Sequence, residues 1–358
     1  MITTAKTRML AFALLLASSL LAAACATRRQ FDSPFVVEEP RRLEAVFVVP
    51  KPDPSADHAN DILLVYARGH TLSASLLDLA KAEGRWGNAL LSPEGSRLLV
   101  QIPADGAFFT WNLLELDTLE MHLLSTPTNG TASWSPDGTR IAWQDLSRAE
   151  PSVVVADVIT YDEILVLEQA LYPAWSADAR ELTVVRYLPP DQVIAVISLE
   201  DLDANTLPLP SGSAPAHSAC FLHAPVWSPQ RTHLAFIHET TTHEPSAIFV
   251  FTPTEQTVPV FVQAIDVTSH TVHSLAWVSD DSFVWSDAKS VFMADMLAQT
   301  GWTTKTIAIC NSAYTQINDL ALSSSGRWLL WREVHGSDWQ ILFYNLLTGE
   351  SAVLTQST

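Results

Sequence analysis

One ten-residue pattern recurs six times along this chain, and it constrains the fold more than any other feature. It reads Trp134-Ser135-Pro136-Asp137-Gly138-Thr139-Arg140-Ile141-Ala142-Trp143 in its fullest copy. The other copies begin at Leu91, Trp175, Trp227, Trp277 and Leu322, and the copy at Trp277 is one residue shorter. Measured between first residues, the spacings are 43, 41, 52, 50 and 45. Each part has a physical role. An apolar run ending in Trp or Leu reads as a buried strand. Ser-Pro-Asp-Gly is turn chemistry, with Pro presetting φ, Asp bonding nearby backbone and Gly accepting φ > 0. Apolar residues then resume with period two, as a second strand requires.

Each unit holds two further apolar runs, such as Val153-Val154-Val155 and Ile164-Leu165-Val166-Leu167. Four strands in about 45 residues is the blade of a β-propeller, so the expected class is all-β with four-stranded antiparallel blades. The stretch from Leu43 to Gly84 carries three strand-like runs and no turn motif. It reads as a blade with a missing or short fourth strand. Residues 44–358 at this spacing predict seven blades. The alternative is six, with the N-terminal strands completing the last blade. The Trp residues at repeat positions are expected to pack between blades.

The Trp-Ser-Pro-Asp-Gly-x-x-Ile-Ala pattern resembles the WD-like repeats of TolB-type β-propellers, from about Asn88 to Thr358. That resemblance implies a structural role for the motif and no catalytic residue in it. Residues 1–24 read as an export signal, with basic Lys6 and Arg8 before an apolar run from Met9 to Ala24. Leu21-Ala22-Ala23-Ala24-Cys25 resembles a bacterial lipobox. It implies lipid on Cys25, with residues 25–42 as a tether and 43–358 as the propeller domain. Ala26 after the Cys favours the periplasmic face of the outer membrane over inner-membrane retention.

Lys+Arg is 20 against Asp+Glu 39, a net charge of −19 that becomes −21 without residues 1–24. Phosphate backbones are repelled by such a chain, which argues against nucleic-acid partners. Acidic residues recur near expected outer-strand turns, as in Asp157, Asp162-Glu163, Glu200-Asp201 and Asp203. They serve solubility, or form a rim for a basic partner.

Catalytic motifs are sparse. There is no G-x-S-x-G elbow, no Gly-rich phosphate loop and no EF-hand loop. Of 11 His, seven lie between His217 and His273. His217, Cys220 and His223 form the tightest cluster and are a weak metal candidate, with His270 or His273 as possible additions. Cys220 is placed before a first strand and Cys310 at the end of a fourth, which argues against their forming a disulfide. The loops Asp201 to Ala224 and His238 to Ser246 are the candidate partner-binding segments. Two functional expectations follow. One is a non-catalytic envelope lipoprotein, without cofactor, that docks a protein partner. The other is a small-molecule- or metal-binding propeller, or an enzyme, with its site in the central funnel.

Overall fold

The computed structural model describes residues 41–50, 60–77, 86–104, 108–128, 130–188, 191–207, 220–240, 247–252, 260–266, 272–297, 301–310, 313–314 and 316–357. Cys25 and the rest of residues 1–40 lie outside them. The described residues form seven antiparallel sheets and no helix. Blade 1 is β1 (Arg42–Pro50), β2 (Asn60–Arg68) and β3 (Thr71–Leu76). Blade 2 is β4 (Ala89–Leu91), β5 (Arg97–Pro103), β6 (Phe109–Glu115) and β7 (Met121–Leu123). Blade 3 is β8 (Ala132–Trp134), β9 (Arg140–Asp145), β10 (Ser152–Asp157) and β11 (Glu163–Glu168). Blade 4 is β12 (Ala170–Trp175), β13 (Glu181–Leu188), β14 (Asp191–Ser198) and β15 (Ala204–Leu207). Blade 5 is β16 (Cys220–Trp227), β17 (Leu234–Thr240), β18 (Ala247–Thr252) and β19 (Val260–Asp266). Blade 6 is β20 (Ser274–Ser279), β21 (Ser282–Ser286), β22 (Ser290–Leu297) and β23 (Gly301–Ile309). Blade 7 is β24 (Gln316–Leu322), β25 (Trp328–His335), β26 (Asp338–Asn345) and β27 (Ser351–Gln356).

The chain is a seven-bladed β-propeller. The six-blade alternative fails because the N-terminal strands build a sheet of their own, and all four strands of blade 7 come from the C-terminal end. The third strand of blade 1 begins at Thr71, four residues earlier than the apolar run at Ser75 suggests. Gly69, at φ +58°, closes a tight turn with His70 and brings the strand forward.

Seven separate apolar clusters fill the seven gaps between blades. Between blades 3 and 4, for example, Val153 and Val155 pack on Trp175, Leu182 and Val184. Repeat-position Trp side chains also carry hydrogen bonds across the gaps. The indole N–H of Trp134 donates to the Leu90 carbonyl (3.2 Å), Trp175 to Ser133 (3.2 Å) and Trp277 to Val226 (3.0 Å). Each stitches its blade to the one before it.

The motif serine is the hidden centre of the turn. Ser135 is fully buried. Its hydroxyl donates to Asp137 Oδ1 at 2.6 Å and accepts the Arg140 N–H at 2.9 Å. Ser176 repeats both bonds, at 2.6 Å to Asp178 and 2.9 Å from the Glu181 N–H. Two turns lack the Asp and take a carboxylate from the next blade. In blade 5 the Gln230 N–H donates to Asp280 of blade 6 (3.0 Å). In blade 7 the Ser325 N–H donates to Glu44 of blade 1 (2.9 Å).

Among the described residues, ring closure involves no shared strand. Ala45, Phe47 and Val49 of β1 pack on Trp328, Leu330 and Trp339 of blade 7. The Ser324 N–H donates to the Glu44 carbonyl (3.1 Å), and the Trp339 indole to the Pro50 carbonyl (3.0 Å). These contacts fix the direction of β1. It starts at the face carrying the Ser-Pro-Asp-Gly turns and ends at the opposite face, as second strands do elsewhere in the ring.

Candidate functional site

The first strands β4, β8, β12, β16, β20 and β24 line the central channel. Several are bulged, and the bulges share an unusual backbone. Tyr172, Ala224 and Asp319 lie in the left-handed region, at φ +53°, +50° and +54°. All three stand three residues before the motif Trp or Leu, and register shifts there mark a bulge in each strand. Non-glycine residues held there cost of order 1 kcal/mol each and persist only where neighbours over-determine them. At the first two bulges a side-chain amide of the preceding blade holds the strand. The Tyr172 N–H donates to Gln144 Oε1 (3.3 Å), and the Leu222 N–H to Gln192 Oε1 (2.8 Å).

One channel cavity, of about 520 Å³, lies among the first strands of blades 3 to 5. Trp134, Tyr172, Trp175, His223, Trp227 and His273 are among its walls. His223 Nε2 lies 3.5 Å from Glu239 Oε2, a diagonal contact between β16 and β17. Burial pushes the imidazole pKa down, and Glu239 opposes that only in part, so His223 is neutral at pH 7. Burial, then Glu239, pushes the Tyr172 phenol up.

A second cavity, of about 500 Å³, lies beside blade 1. Asn60, Asn88, Gln101, Ser274, Asp319 and Arg332 contribute to its polar lining. Asp319 Oδ2 contacts Arg332 Nη2 at 2.5 Å. Arg332 Nη1 also donates to the Val48 carbonyl. Asp319 keeps 48% of its side-chain surface because it faces the wet channel. The surrounding blades still raise its carboxyl pKa by desolvation, against the pull of Arg332.

The expected metal cluster is only partly visible. His217 and His270 lie outside the described residues, and of Cys220 only the backbone is described. His223 faces Glu239 and Tyr172. Among the described residues no group of three or more His, Cys, Asp or Glu could hold a metal. His273 is exposed at the channel wall. Cys310 is a free, buried thiol whose Sγ–H reaches the Tyr314 carbonyl at 3.6 Å. Burial, helped by Glu333, pushes its pKa up to about 11.

Both candidate loops open from one end of blade 5. Cys220 pairs with Thr240, where the two insertions meet the sheet. Residues 208–219 and 241–246 themselves lie outside the described residues. Several of the rim carboxylates are turn formers. Asp157 accepts the Ile159 and Thr160 N–H groups (2.8 and 2.9 Å), and Asp201 accepts the Asp203 N–H (3.2 Å). Glu163 is bonded to Arg148 at 2.8 Å.

Sequence reasoning did not single out Tyr172, Glu239, Asp319 or Arg332. A signal for two of them existed. Tyr172 and Asp319 occupy one repeat position, legible once the copies are aligned on their motif Trp or Leu. Glu239 and Arg332 lie on second strands and carry no comparable mark.

No protein-family model matches the sequence, and no curated protein sequence matches it. Solved structures do. A periplasmic gluconolactonase from Pseudomonas aeruginosa superposes with a TM-score of 0.59 at 14% identity, over 88% of this chain and 96% of that one. The β-propeller domain of Cps50 (Swd1) from Myceliophteria thermophila gives 0.54 at 12% identity, over 75% and 85%. TolB from Acinetobacter baumannii gives 0.47 at 11% identity, over 86% and 78%, which is too loose to bear on function. These likenesses establish the fold alone. Enzymes and non-enzymes share it.

Proposed function

We propose that this chain is an envelope lipoprotein, anchored through Cys25, whose propeller is a non-catalytic docking scaffold for a protein partner. One observation carries the reading: the two candidate loops meet the sheet at the same end of one blade. Loops presented by a rigid sheet are where recognition concentrates. The repeat elsewhere in the ring agrees, since its Ser and Asp in blade 3 and its Trp in blade 4 are occupied in turns and inter-blade bonds. The periplasmic face of the outer membrane is the expected location, and the net charge of −19 disfavours nucleic acid. The test is a crosslinking pull-down from native envelopes, with residues 208–219 replaced by a short Gly-Ser link as control. A partner recovered by the parent and lost by the variant supports the scaffold. Equal recovery by both, or no partner at all, overturns it.

A second reading has its own observation. Two channel cavities near 500 Å³ lie within the usual range for small-ligand sites, beside three strained bulges. On this reading Asp319 and Arg332 contact a small polar ligand in the second of these cavities. Thermal-shift screening of metabolites against the parent and Asp319→Asn tests it. A ligand that stabilises the parent and not the variant would favour this reading.

A further inference from the structure

Every described turn between a third and a fourth strand carries an exposed aliphatic side chain. These turns are residues 115–120 in blade 2, 157–162 in blade 3, 198–203 in blade 4 and 345–350 in blade 7. Residues 253–259 and 298–300, the corresponding positions of blades 5 and 6, lie outside the described residues. Each turn closes with the same two backbone bonds. In blade 2 the Leu119 N–H donates to the Glu115 carbonyl and the Glu115 N–H to the Glu120 carbonyl, both at 2.9 Å. Ile159 is 75% exposed, Leu347 77%, Leu202 55% and Leu119 45%. The second residue of each turn is tied to the motif turn of its own blade. The N–H groups of Leu116, Val158, Leu199 and Leu346 donate to the Ser96, Thr139, Arg180 and Arg327 carbonyls. The tips are therefore fixed, on the face of the ring that carries the Ser-Pro-Asp-Gly turns.

Folding does not account for these side chains. The fifth position of all four turns lies in the left-handed region, and only blade 7 fills it with glycine, Gly349 at φ +74°. Blade 3 has Tyr161 there, at +62°, and its ring stacks on His122 of blade 2 at 4.7 Å. Blades 2 and 4 have Leu119 at +57° and Leu202 at +63°, a strained backbone with little side-chain burial. Ile159 and Leu347 stand at the third position. Asp157 and Asn345 accept their N–H groups, at 2.8 and 3.0 Å, and hold them at the tip. Blades 2, 3 and 4 are consecutive, so Leu119, Ile159 and Leu202 form an arc. Ile164 and Val166, also exposed, extend it along the outer strand of blade 3.

Charge selects the occupant. The four turns hold nine Asp and Glu and no Lys or Arg. Asp117, Glu120, Asp162, Glu200 and Asp203 are exposed beside the arc. Two of the arginines nearby are engaged, Arg97 with Glu115 at 3.0 Å and Arg140 with the Ala179 carbonyl at 2.7 Å, while Arg180 is exposed. A second copy of a chain with net charge −19 is repelled, and so is an anionic bilayer. We propose that this arc is a docking surface for a basic protein segment, one that sets Lys or Arg among apolar side chains. The aliphatic tips supply the desolvated contact, and the carboxylates supply orientation and encounter rate. The surface is separate from the docking loops proposed above. It lies on the face opposite the end of blade 5 where residues 208–219 and 241–246 meet the sheet.

The probe is a fluorescent amphipathic peptide of Leu and Lys, with a Ser and Lys peptide of equal charge as its control. Each is titrated into the full chain held in zwitterionic nanodiscs, with empty discs as the blank. The triple variant Leu119→Asn, Ile159→Asn, Leu202→Asn should bind the Leu and Lys peptide at least about 10-fold more weakly than the parent. Added salt should weaken the parent's binding. Leu146→Asn with Tyr187→Asn, exposed residues on the opposite face, should leave it unchanged. Replacing residues 208–219 by a Gly-Ser link should also leave it unchanged, so failure here and failure of the loop reading are told apart. Equal affinity of parent and triple variant overturns the proposal, as does equal binding of the two peptides. Asn accepts positive φ, so Leu119→Asn and Leu202→Asn should keep or raise the urea midpoint. A lower midpoint assigns the leucines to the fold and overturns the proposal. Photocrosslinking from Ile159→benzoylphenylalanine in native envelopes identifies the occupant. An adduct with a Lys- or Arg-bearing apolar segment of another protein supports the proposal. An adduct with lipid or with a second copy, or no adduct, overturns it.

Discussion

Replacing Glu44 by Ala should weaken the whole ring, although the residue lies only three positions inside the described chain. Its side chain is buried, with 3% exposure, at the junction of blades 1 and 7. One carboxylate oxygen accepts the Ser325 N–H (2.9 Å) and the Ser324 hydroxyl (3.2 Å). Arg42 stands 4.0 Å from the other oxygen and is mostly exposed, so that pair adds little. A hydrogen bond to a charged acceptor is worth about 1.5–3 kcal/mol, and an orphaned buried N–H costs about 1–3 kcal/mol. These overlap, because losing the bond creates the orphan. The expected loss is therefore about 2–4 kcal/mol, close to a 1 M fall in urea midpoint for a slope near 3 kcal/mol/M. Glu44→Gln keeps a carbonyl acceptor and should lose less than half as much. Intrinsic Trp fluorescence reports the transition, since Trp328 and Trp339 pack at the same junction. A Glu44→Ala midpoint within about 0.2 M of the parent would refute the reasoning, because the carboxylate would then be replaceable by water.

Other expectations follow from the same geometry. Ser135→Ala should cost about 2 kcal/mol by urea denaturation, because it strands the Arg140 N–H under the turn. His223, His233 and His238 all have pKa values depressed by burial. The unfolded chain therefore binds more protons below about pH 6.5, and stability should fall as pH drops through that value. His238→Gln should flatten the slope of urea midpoint against pH between 7.5 and 5.5, and an unchanged slope would exclude that histidine as a contributor. Asp137 and Asp178 are shifted the other way. Burial raises both, but hydrogen bonds from Ser135 and Ser176, joined by nearby backbone N–H groups, lower them further. Their contribution is complete above the ordinary carboxylate range and is lost as pH falls through the lowered values, so the cost of Asp137→Asn should be full at pH 7 and shrink as pH falls below the ordinary carboxylate range. At pH 8 about one Cys310 thiol in a thousand is ionised, so its peptide should resist alkylation until the protein is unfolded.

The blade count, the turn chemistry and the packing of the Trp side chains were legible because each recurs, and recurrence averages away local ambiguity. The serine of the turn was not assigned its bonds. Ser-Pro-Asp-Gly describes a turn adequately without it, and only burial shows that Ser135 holds both ends. The channel was the least legible part. Its polar residues are single occupants of otherwise apolar strands, and a one-residue bulge decides whether Tyr172 or Asp319 faces inward. His223 was noticed for its neighbours in sequence, Cys220 and His217. Its described partner is Glu239, which lies on the next strand. Blade 1 escaped the repeat pattern for a related reason: its second strand is present while the motif turn before it is not.

The junction between blades 1 and 7 joins residues about 280 positions apart, as in the bonds of Ser324 and Ser325 to Glu44. Every other blade meets a neighbour made only tens of residues earlier. Loop-closure entropy therefore makes this the last contact to form. Before it forms, the chain is an open arc with two sticky ends, Phe47 with Val49 at one and Trp328 with Leu330 at the other. Within one molecule these ends find each other once. At high concentration they can find the complementary end of a second molecule and polymerise head to tail. Dilution during refolding should thus favour closed monomers, and crowding should favour chains of arcs.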